Sequence, residues 1–130
     1  MRTELKAEVE IQVAFHDVDA MHYVWHGHYY KYFEVVRTKL FQSIDYDVLQ
    51  MEASGYSWPI IETSCKYVQP MLYNQLIQVS AKIQEYENRL KIIYRISDAK
   101  TDEKLATGHT TQVAVDMKNN ECVLCHPRFC

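Results

Sequence analysis

The feature that most constrains the fold is a single long helical pattern in a chain that otherwise consists of short strands. Apolar side chains recur at helical spacing along this segment, at Tyr29, Phe33, Val36 and Leu40. The pattern predicts a helix from about Gly27 or His28 to Gln42. Such a helix must bury its apolar stripe, and the neighbouring strands are the layer that can cover it.

Strand patterns lie on both sides of this helix. Five strands are predicted, and apolar and polar residues alternate most clearly in the first and the last: 7–15, Trp58–Tyr67, Leu76–Tyr86, Leu90–Ser97 and Leu105–Met117. A shorter helix is expected at Asp47–Ser54 with Gly55 as its stop, and a short last strand near the C-terminus. Consecutive strands joined by tight turns form antiparallel sheets, so we expect an antiparallel sheet curled around one central helix. The exposed edges of such a sheet predict a homodimer or homotetramer.

Length and charge limit the function classes. The 130 residues are enough for a single core, so we expect one domain over residues 1–130. A formal net charge of −3 without clustered Lys and Arg predicts no nucleic-acid partner. The first residues, MRTELKAEVEIQV, lack the apolar run of a secretory signal, and no segment approaches the ~18 apolar residues of a membrane span. We therefore expect a cytoplasmic protein with no membrane partner, whose four cysteines are free thiols.

One segment is rich in groups that bind metals or transfer protons. Residues 15–30, FHDVDAMHYVWHGHYY, contain four histidines and two aspartates. His22 and His26 are four residues apart and would share a helix face if the helix began early, as zinc ligands often do. A second possible zinc site lies near the C-terminus, at Cys122, Cys125, His126 and Cys130. A terminal strand with small buried side chains is the simpler interpretation of that tail.

Several residues of this segment carry a family resemblance. The stretch HDVDAMHYVWHGHYYKYFEVVRT resembles the signature of the hotdog-fold acyl-CoA thioesterases, in particular the 4-hydroxybenzoyl-CoA thioesterase family. The matching residues are Asp17, Asp19, Trp25, His26, Tyr29, Glu34 and Arg37. A second stretch, YSWPIIETSCKYVQPMLYNQLIQVSAKI, continues the likeness with Lys66, Tyr67, Pro70 and Tyr73. The resemblance covers roughly residues 9–118 and implies an α+β hotdog fold.

The resemblance also implies roles for individual residues. In the family the second aspartate of the D-x-D pair is catalytic, which is Asp19 here, and a residue at the helix start assists, which is His26. The substrate-binding candidates are His22, Trp25, Tyr29 and Arg89, the last for the phosphates of coenzyme A. Two positions depart from the family pattern: His22 stands where glycine is usual, and Phe15 replaces a tyrosine found in some members.

These residues suit thioester hydrolysis. A carboxylate can act as general base toward water or attack the carbonyl directly, and the leaving thiolate needs little assistance. The unpaired N–H groups at a helix start can hold the oxyanion, and one such donor typically contributes about 3–4 kcal/mol. We therefore expect an acyl-CoA or acyl-carrier-protein thioester hydrolase that needs no metal and no cofactor. The alternatives are a non-catalytic acyl-binding or metal-binding module and, less favoured, a dehydratase on the same fold.

The remaining polar residues are expected to be structural. Asp17 is predicted to hold the loop, while His16 and His28 are predicted to be exposed or to face a partner. His109 alternates with Thr107 and Thr111 on what we take as the inward face of a strand, which predicts a hydrogen-bonded histidine within the sheet.

Overall fold

A computed structural model of the protein describes residues 5–44, 53–86, 89–118 and 121–122. The strands are β1 (Lys6–Gln12), β2 (Tyr56–Ser57), β3 (Ile60–Tyr67), β4 (Leu76–Glu85), β5 (Leu90–Asp98), β6 (Lys104–Gln112), β7 (Val115–Asp116) and β8 (Glu121–Cys122). The helix α1 spans Tyr29–Ser43, and short 3₁₀ turns occur at Phe15–Asp17 and His26–His28.

The main sheet has five antiparallel strands in the order β1-β4-β5-β6-β3, and α1 packs across it. The helix buries its apolar stripe against this sheet, so that Val36 and Leu40 have no exposed surface. Burial of each such side chain is worth about 1.5–3 kcal/mol. Phe33 stacks on Tyr94 of β5 with ring centroids 4.5 Å apart. The predicted architecture, an antiparallel sheet around one long helix, is confirmed.

Strand β3 forms one edge of this sheet and is unusually exposed. Seven of its eight residues are exposed, and Cys65 is half-buried. Its inner neighbour is β6, and the order of the five-stranded sheet ends at β3. An edge strand presents a row of N–H and C=O groups that pair readily with another strand.

The predicted helix agrees with α1 to within two residues at each end. The predicted second helix falls mainly on residues 45–52, which lie outside the described residues, but its predicted stop, Gly55, has a φ of +81° that glycine favours. Most of the possible zinc site of the tail also lies outside the described residues. No helix in the described part of the chain is long and apolar enough to cross a bilayer.

Candidate active site

The histidine-rich segment folds as a short hairpin that leads into the helix. The N–H of Trp25 donates to the carbonyl of Asp17 at 3.0 Å, and the N–H of Asp19 donates to the carbonyl of Tyr23 at 2.9 Å. The loop is closed by the N–H of His22, which donates to the carbonyl of Asp19 at 2.9 Å. A three-residue hairpin loop of this kind places its third residue in the left-handed conformation.

His22 occupies this left-handed position. Its φ is +69°, a conformation that costs a residue with a side chain about 1–2 kcal/mol and suits glycine. The family resemblance has glycine here, so the backbone retains the glycine-type conformation although the residue is histidine. The side chain is exposed on the hairpin loop. Its contact with substrate stays a prediction.

Asp19 lies exposed at the turn of the hairpin. Its Oδ1 accepts the N–H of Met21 at 2.9 Å, as turn aspartates commonly do. Along the hairpin, Asp19 is two residues beyond the paired Asp17 and Trp25, which corresponds to about 7 Å of extended chain. The carboxylate is therefore accessible on the hairpin that precedes the helix start, and its catalytic role stays a prediction.

Asp17 is buried beneath the hairpin and fastens it to the helix. Only 3% of its surface is exposed. Its Oδ2 accepts the hydroxyl of Tyr32 at 2.7 Å, and its Oδ1 accepts the ammonium group of Lys31. Burial raises the pKa of Asp17, but these two hydrogen bonds outweigh burial and bring the pKa below its ordinary value of 3.8. Asp17 thus has the loop-holding position that was predicted for it.

The helix begins without a side-chain cap. Neither Trp25 nor His28 provides a capping hydrogen bond, and the first turn contains no acidic residue. The N–H of His28 donates to the carbonyl of Trp25 at 2.9 Å, and the N–H groups of His26 and Gly27 precede it as the first donors of the helix. The positive end of the helix dipole lies at the same place. The helix start is therefore suited to hold a developing oxyanion.

Aromatic rings surround this helix start. The ring of Trp25 packs against Gly27 so closely that a Cβ there would have no room, and its centroid lies 5.0 Å from that of the His26 ring. The hydroxyl of Tyr67 donates to the carbonyl of His26 at 2.9 Å, which ties β3 to the helix start. The ring of Tyr67 in turn meets Tyr29 edge-on, with centroids 4.7 Å apart.

Three groups in the wall beside the helix start are uncharged at neutral pH. Burial, followed by the neighbouring Cys65, raises the pKa of Tyr67 to about 12. Burial also raises the pKa of the Cys65 thiol and of the Tyr29 hydroxyl. All three groups are therefore protonated, and Tyr67 acts as a hydrogen-bond donor.

A cavity of about 160 Å³ lies between α1 and β3. Its lining residues are Tyr30, Phe33, Glu34, Arg37, Ile60, Thr63 and Thr110. Tyr30 follows His26 by four residues and therefore lies one turn along the same helix face. Arg37 is 9% exposed and pairs with Glu34, so its positive charge is compensated within the cavity wall. The cavity therefore lies along the same face of the helix as the uncapped N–H groups.

The structure brings only some of the predicted site residues together. Trp25 and His26 meet at the helix start, next to the hairpin that carries Asp19. Tyr29 is only 3% exposed and lies behind Tyr67, so it supports the wall of the site. The predicted contact of Tyr29 with substrate stays a prediction.

Arg89 lies away from the helix start. It belongs to the turn between β4 and β5, where its Nε donates to Glu85 at 3.1 Å. Its positive charge helps to lower the pKa of Glu62, which lies near the beginning of β3. Tyr67, at the end of β3, is the residue that contacts the helix start. Five residues of extended strand separate Glu62 from Tyr67, or about 17 Å. A role for Arg89 in phosphate binding stays a prediction.

The metal alternative for the histidine-rich segment finds no support in its geometry. His22 lies in the hairpin loop and His26 begins the 3₁₀ turn, so the two residues do not share a helix face. Within the described ranges, no group of three or more His, Cys, Asp or Glu side chains is arranged to hold a metal ion.

Two contributions to the site were not predicted. The hydrogen bond from Tyr67 to His26 joins residues 41 positions apart, and Arg37 lines the cavity from the helix. A signal for the cavity was present in the sequence, because residues 26, 30, 33 and 37 follow helical spacing. No local pattern signals a contact between the helix start and the end of β3.

Comparisons with known proteins agree on one family. A family model described as the thioesterase-like superfamily matches residues 13–129. A Bacillus subtilis (strain 168) protein named "Putative acyl-CoA thioesterase YneP" is 31% identical over 85 residues, which are 65% of this chain and 61% of that protein. The chain therefore matches less than two thirds of the length of this relative.

Solved structures share the architecture. A 1,4-dihydroxy-2-naphthoyl-CoA thioesterase from Synechocystis superposes with a TM-score of 0.83 and 19% identity, over 92% of this chain and 88% of that one. A DHNA-CoA thioesterase from Staphylococcus aureus superposes with a TM-score of 0.82 and 22% identity, over 92% and 80% of the two chains. At such low sequence identities the superpositions show the fold alone, which is the hotdog fold. The family model matches most of the chain, and the chain therefore belongs to the thioesterase-like superfamily.

Proposed function

We propose that the protein hydrolyses an acyl thioester of coenzyme A or of an acyl carrier protein at the start of α1. The observation that carries this proposal is an uncapped helix start that directly follows a hairpin with an accessible carboxylate. The first N–H groups, at His26 and Gly27, have no side-chain cap, and the hairpin carrying Asp19 runs directly into them. The family membership and the name of the Bacillus relative support the same reaction class.

In the proposed mechanism the thioester carbonyl lies against the helix start. Asp19 either activates a water molecule or attacks the carbonyl carbon itself, and the N–H of His26 donates to the oxyanion that forms. The tetrahedral intermediate then expels the thiolate. Where water is the nucleophile this step releases the carboxylic acid directly; where Asp19 is the nucleophile it leaves an anhydride, which water cleaves to release the acid and restore the Asp19 carboxylate. The positive end of the helix dipole favours the oxyanion. No metal and no cofactor takes part.

The cavity between α1 and β3 is the proposed site for the acyl group. It lies one turn along the helix from His26 and is lined by the rings of Tyr30 and Phe33. An apolar cavity of roughly 150 Å³ is large enough for one aromatic ring. We therefore expect a short or single-ring acyl group to fit without rearrangement, while longer chains require the side chains to move.

The proposed active form is a homodimer or homotetramer. The support is the exposed edge of β3, which borders both the cavity and the helix start through Thr63 and Tyr67. A second copy paired at this edge would shield the site from water. Light scattering during gel filtration tests this point, and a monomeric mass at micromolar concentration would contradict it.

One observation favours the alternative of a non-catalytic acyl-binding module. The Asp19 carboxylate already accepts the N–H of Met21, as an aspartate with a purely structural role in a turn would. Catalysis and turn formation use the same side chain, so only activity measurements distinguish the two functions.

The decisive experiment measures thiol release from a panel of acyl-CoA thioesters, covering short, medium and long aliphatic chains and aryl groups. We expect hydrolysis by the wild type and a loss of kcat of about 100-fold or more in Asp19→Asn. Asp102→Asn is the matched control, because Asp102 is also an exposed aspartate at a turn. Full activity in Asp19→Asn would refute the mechanism, and wild-type binding of acyl-CoA without hydrolysis would establish the binding module.

A further inference from the structure

A second cluster of reactive side chains lies on the opposite face of the sheet from α1. A Cβ on Gly108 of β6 would lie 2.7 Å from the ring of Phe33, so Gly108 faces the helix. Successive strand residues point to opposite faces, and His109 therefore faces away from the helix. The expectation that His109 lies on the inward face is thus wrong. Alternation along a strand defines two faces but does not say which of them meets the helix.

His109 bridges two residues of the neighbouring strand β3. Its Nδ1 lies 2.8 Å from the Oγ of Ser64, its direct partner across the sheet. Its Nε2 lies 2.9 Å from Oε1 of Glu62, two residues earlier on the same strand face. A serine, a histidine and a carboxylate are therefore connected in sequence by two hydrogen bonds of ordinary length.

The carboxylate determines the direction of both hydrogen bonds. The hydrogen bond with His109 holds the pKa of Glu62 below its ordinary value, so Glu62 is ionised at neutral pH. An ionised carboxylate only accepts hydrogen bonds, so in the neutral form of His109, which the proposed base must have, the imidazole proton lies on Nε2. The Nδ1 lone pair then accepts the hydroxyl proton of Ser64. This arrangement of nucleophile, base and orienting carboxylate is the one that activates serine hydroxyls.

The cluster opens into a cleft that can hold a small molecule. Ser64 and His109 line a cleft of about 520 Å³, within the size range of small-molecule sites. Three cationic side chains also line it: Lys66, Lys91 and Arg95, of which Arg95 is paired with Asp102 at 3.0 Å. Ser64 is exposed, and the side chain of His109 is 23% exposed, so both reactive groups can be reached from solvent. The cations favour an acyl donor whose leaving group is anionic.

We propose that Ser64 is a second acyl-accepting nucleophile, which acts on small activated acyl esters in this outer cleft. Ser64 Oγ attacks the carbonyl carbon while His109 Nδ1 takes the hydroxyl proton, and the bond to the leaving group then breaks. The leaving group takes the proton from His109, or departs as an anion while His109 releases that proton to solvent, so that the imidazole is neutral again. Water, with His109 again as base, cleaves the new ester, releases the carboxylic acid and restores the Ser64 hydroxyl. This site does not share residues with the helix start and does not depend on the function proposed there.

The first test is covalent labelling of the full-length chain with phenylmethanesulfonyl fluoride, which forms a stable adduct with activated serines. Peptide mass spectrometry should find the adduct at Ser64 and not at Ser80. Ser80 is the matched control, because it lies on the same sheet face but its hydroxyl donates to the carbonyl of Arg95 instead of to a histidine. Equal labelling of both serines, or labelling of neither, would overturn the proposal.

The second test measures the role of His109 with 4-nitrophenyl acetate. We expect release of 4-nitrophenolate, with acetylation at Ser64, to fall by about 100-fold in His109→Gln. Glu62→Gln should lower this rate by about tenfold or more, and the exposed position of Glu62 means that folding is retained. Circular dichroism confirms that each variant is folded. An unchanged rate of Ser64 acetylation in folded His109→Gln or in Glu62→Gln would refute the proposed activation.

Discussion

Replacing Asp17 by alanine should destabilise the protein by about 2–3 kcal/mol. The change removes the acceptor of the Tyr32 hydroxyl, and Tyr32 is only 2% exposed. A buried donor left without a partner costs about 1–3 kcal/mol. The side chain of Lys31 is 44% exposed and returns to water, so the loss of its ion pair adds no more than about 1 kcal/mol. Most of the effect therefore comes from the buried hydroxyl.

Urea unfolding followed by far-UV circular dichroism measures this free energy. Tyr32→Phe removes the buried donor, so Asp17→Ala should cost less in that background, with a coupling energy of about 1–2 kcal/mol. Asp19→Ala is the matched control in the same hairpin, and because Asp19 is exposed we expect a loss below about 1 kcal/mol. Additive effects of Asp17→Ala and Tyr32→Phe would refute this account of the hairpin.

The contribution of Asp17 should also depend on pH. Burial raises its pKa, but the hydrogen bonds from Lys31 and Tyr32 bring it below the ordinary value of 3.8. Asp17 has its ordinary pKa in the unfolded chain and a lower pKa in the folded chain. At a pH between these two values the unfolded chain binds more protons than the folded one, so protonation favours unfolding. The stabilisation is fully present above the ordinary value and is lost as the pH falls through the folded pKa. The difference in unfolding free energy between wild type and Asp17→Ala should therefore shrink below about pH 4. If this difference were equal at pH 7 and at the lowest pH at which both proteins fold, the assigned pKa shift of Asp17 would be wrong.

Two further predictions concern backbone positions. His22→Gly should stabilise the protein by about 0.5–1 kcal/mol in urea unfolding, because φ at this position is +69°, and a loss of stability would show that the imidazole contributes contacts. Gly108→Ala should destabilise by about 2 kcal/mol or more, since the new Cβ would lie 2.6 Å from a backbone oxygen of β3 and 2.7 Å from the ring of Phe33. Gly27→Ala is its control: the clash there is with the half-exposed Trp25 ring, so we expect a changed tryptophan fluorescence with a smaller loss of stability.

Much of the fold was predictable from periodicity alone. The stripe at Tyr29, Phe33, Val36 and Leu40 predicts α1, and the alternating segments predict the long strands, with ends that shift by a few residues. Side chains return to the same face every 3.6 residues in a helix and every two residues in a strand. The spacing of apolar residues within a segment therefore indicates its secondary structure. The family resemblance was equally local, since it rests on neighbouring residues of the hairpin and helix.

The different burial of the two aspartates in HDVD depends on the tertiary structure. Only the family resemblance distinguishes them in the sequence, and the local pattern does not show that Asp17 is buried and Asp19 is exposed. The difference arises because Lys31 and Tyr32, which are 14 and 15 residues away, meet Asp17 from the helix. The hydrogen bonds to a buried carboxylate compensate its desolvation, and the exposed carboxylate needs no such partners.

The sequence by itself determined the class of fold, the single long helix and the family. Only the tertiary structure decided which face of β6 meets the helix, and therefore that His109 joins Ser64, a residue 45 positions away, and not the core. It likewise decided that Tyr67 reaches the carbonyl of His26 from the far end of β3. Periodicity records how each segment divides into faces, whereas burial, protonation and reactivity depend on the partners that distant segments bring to those faces.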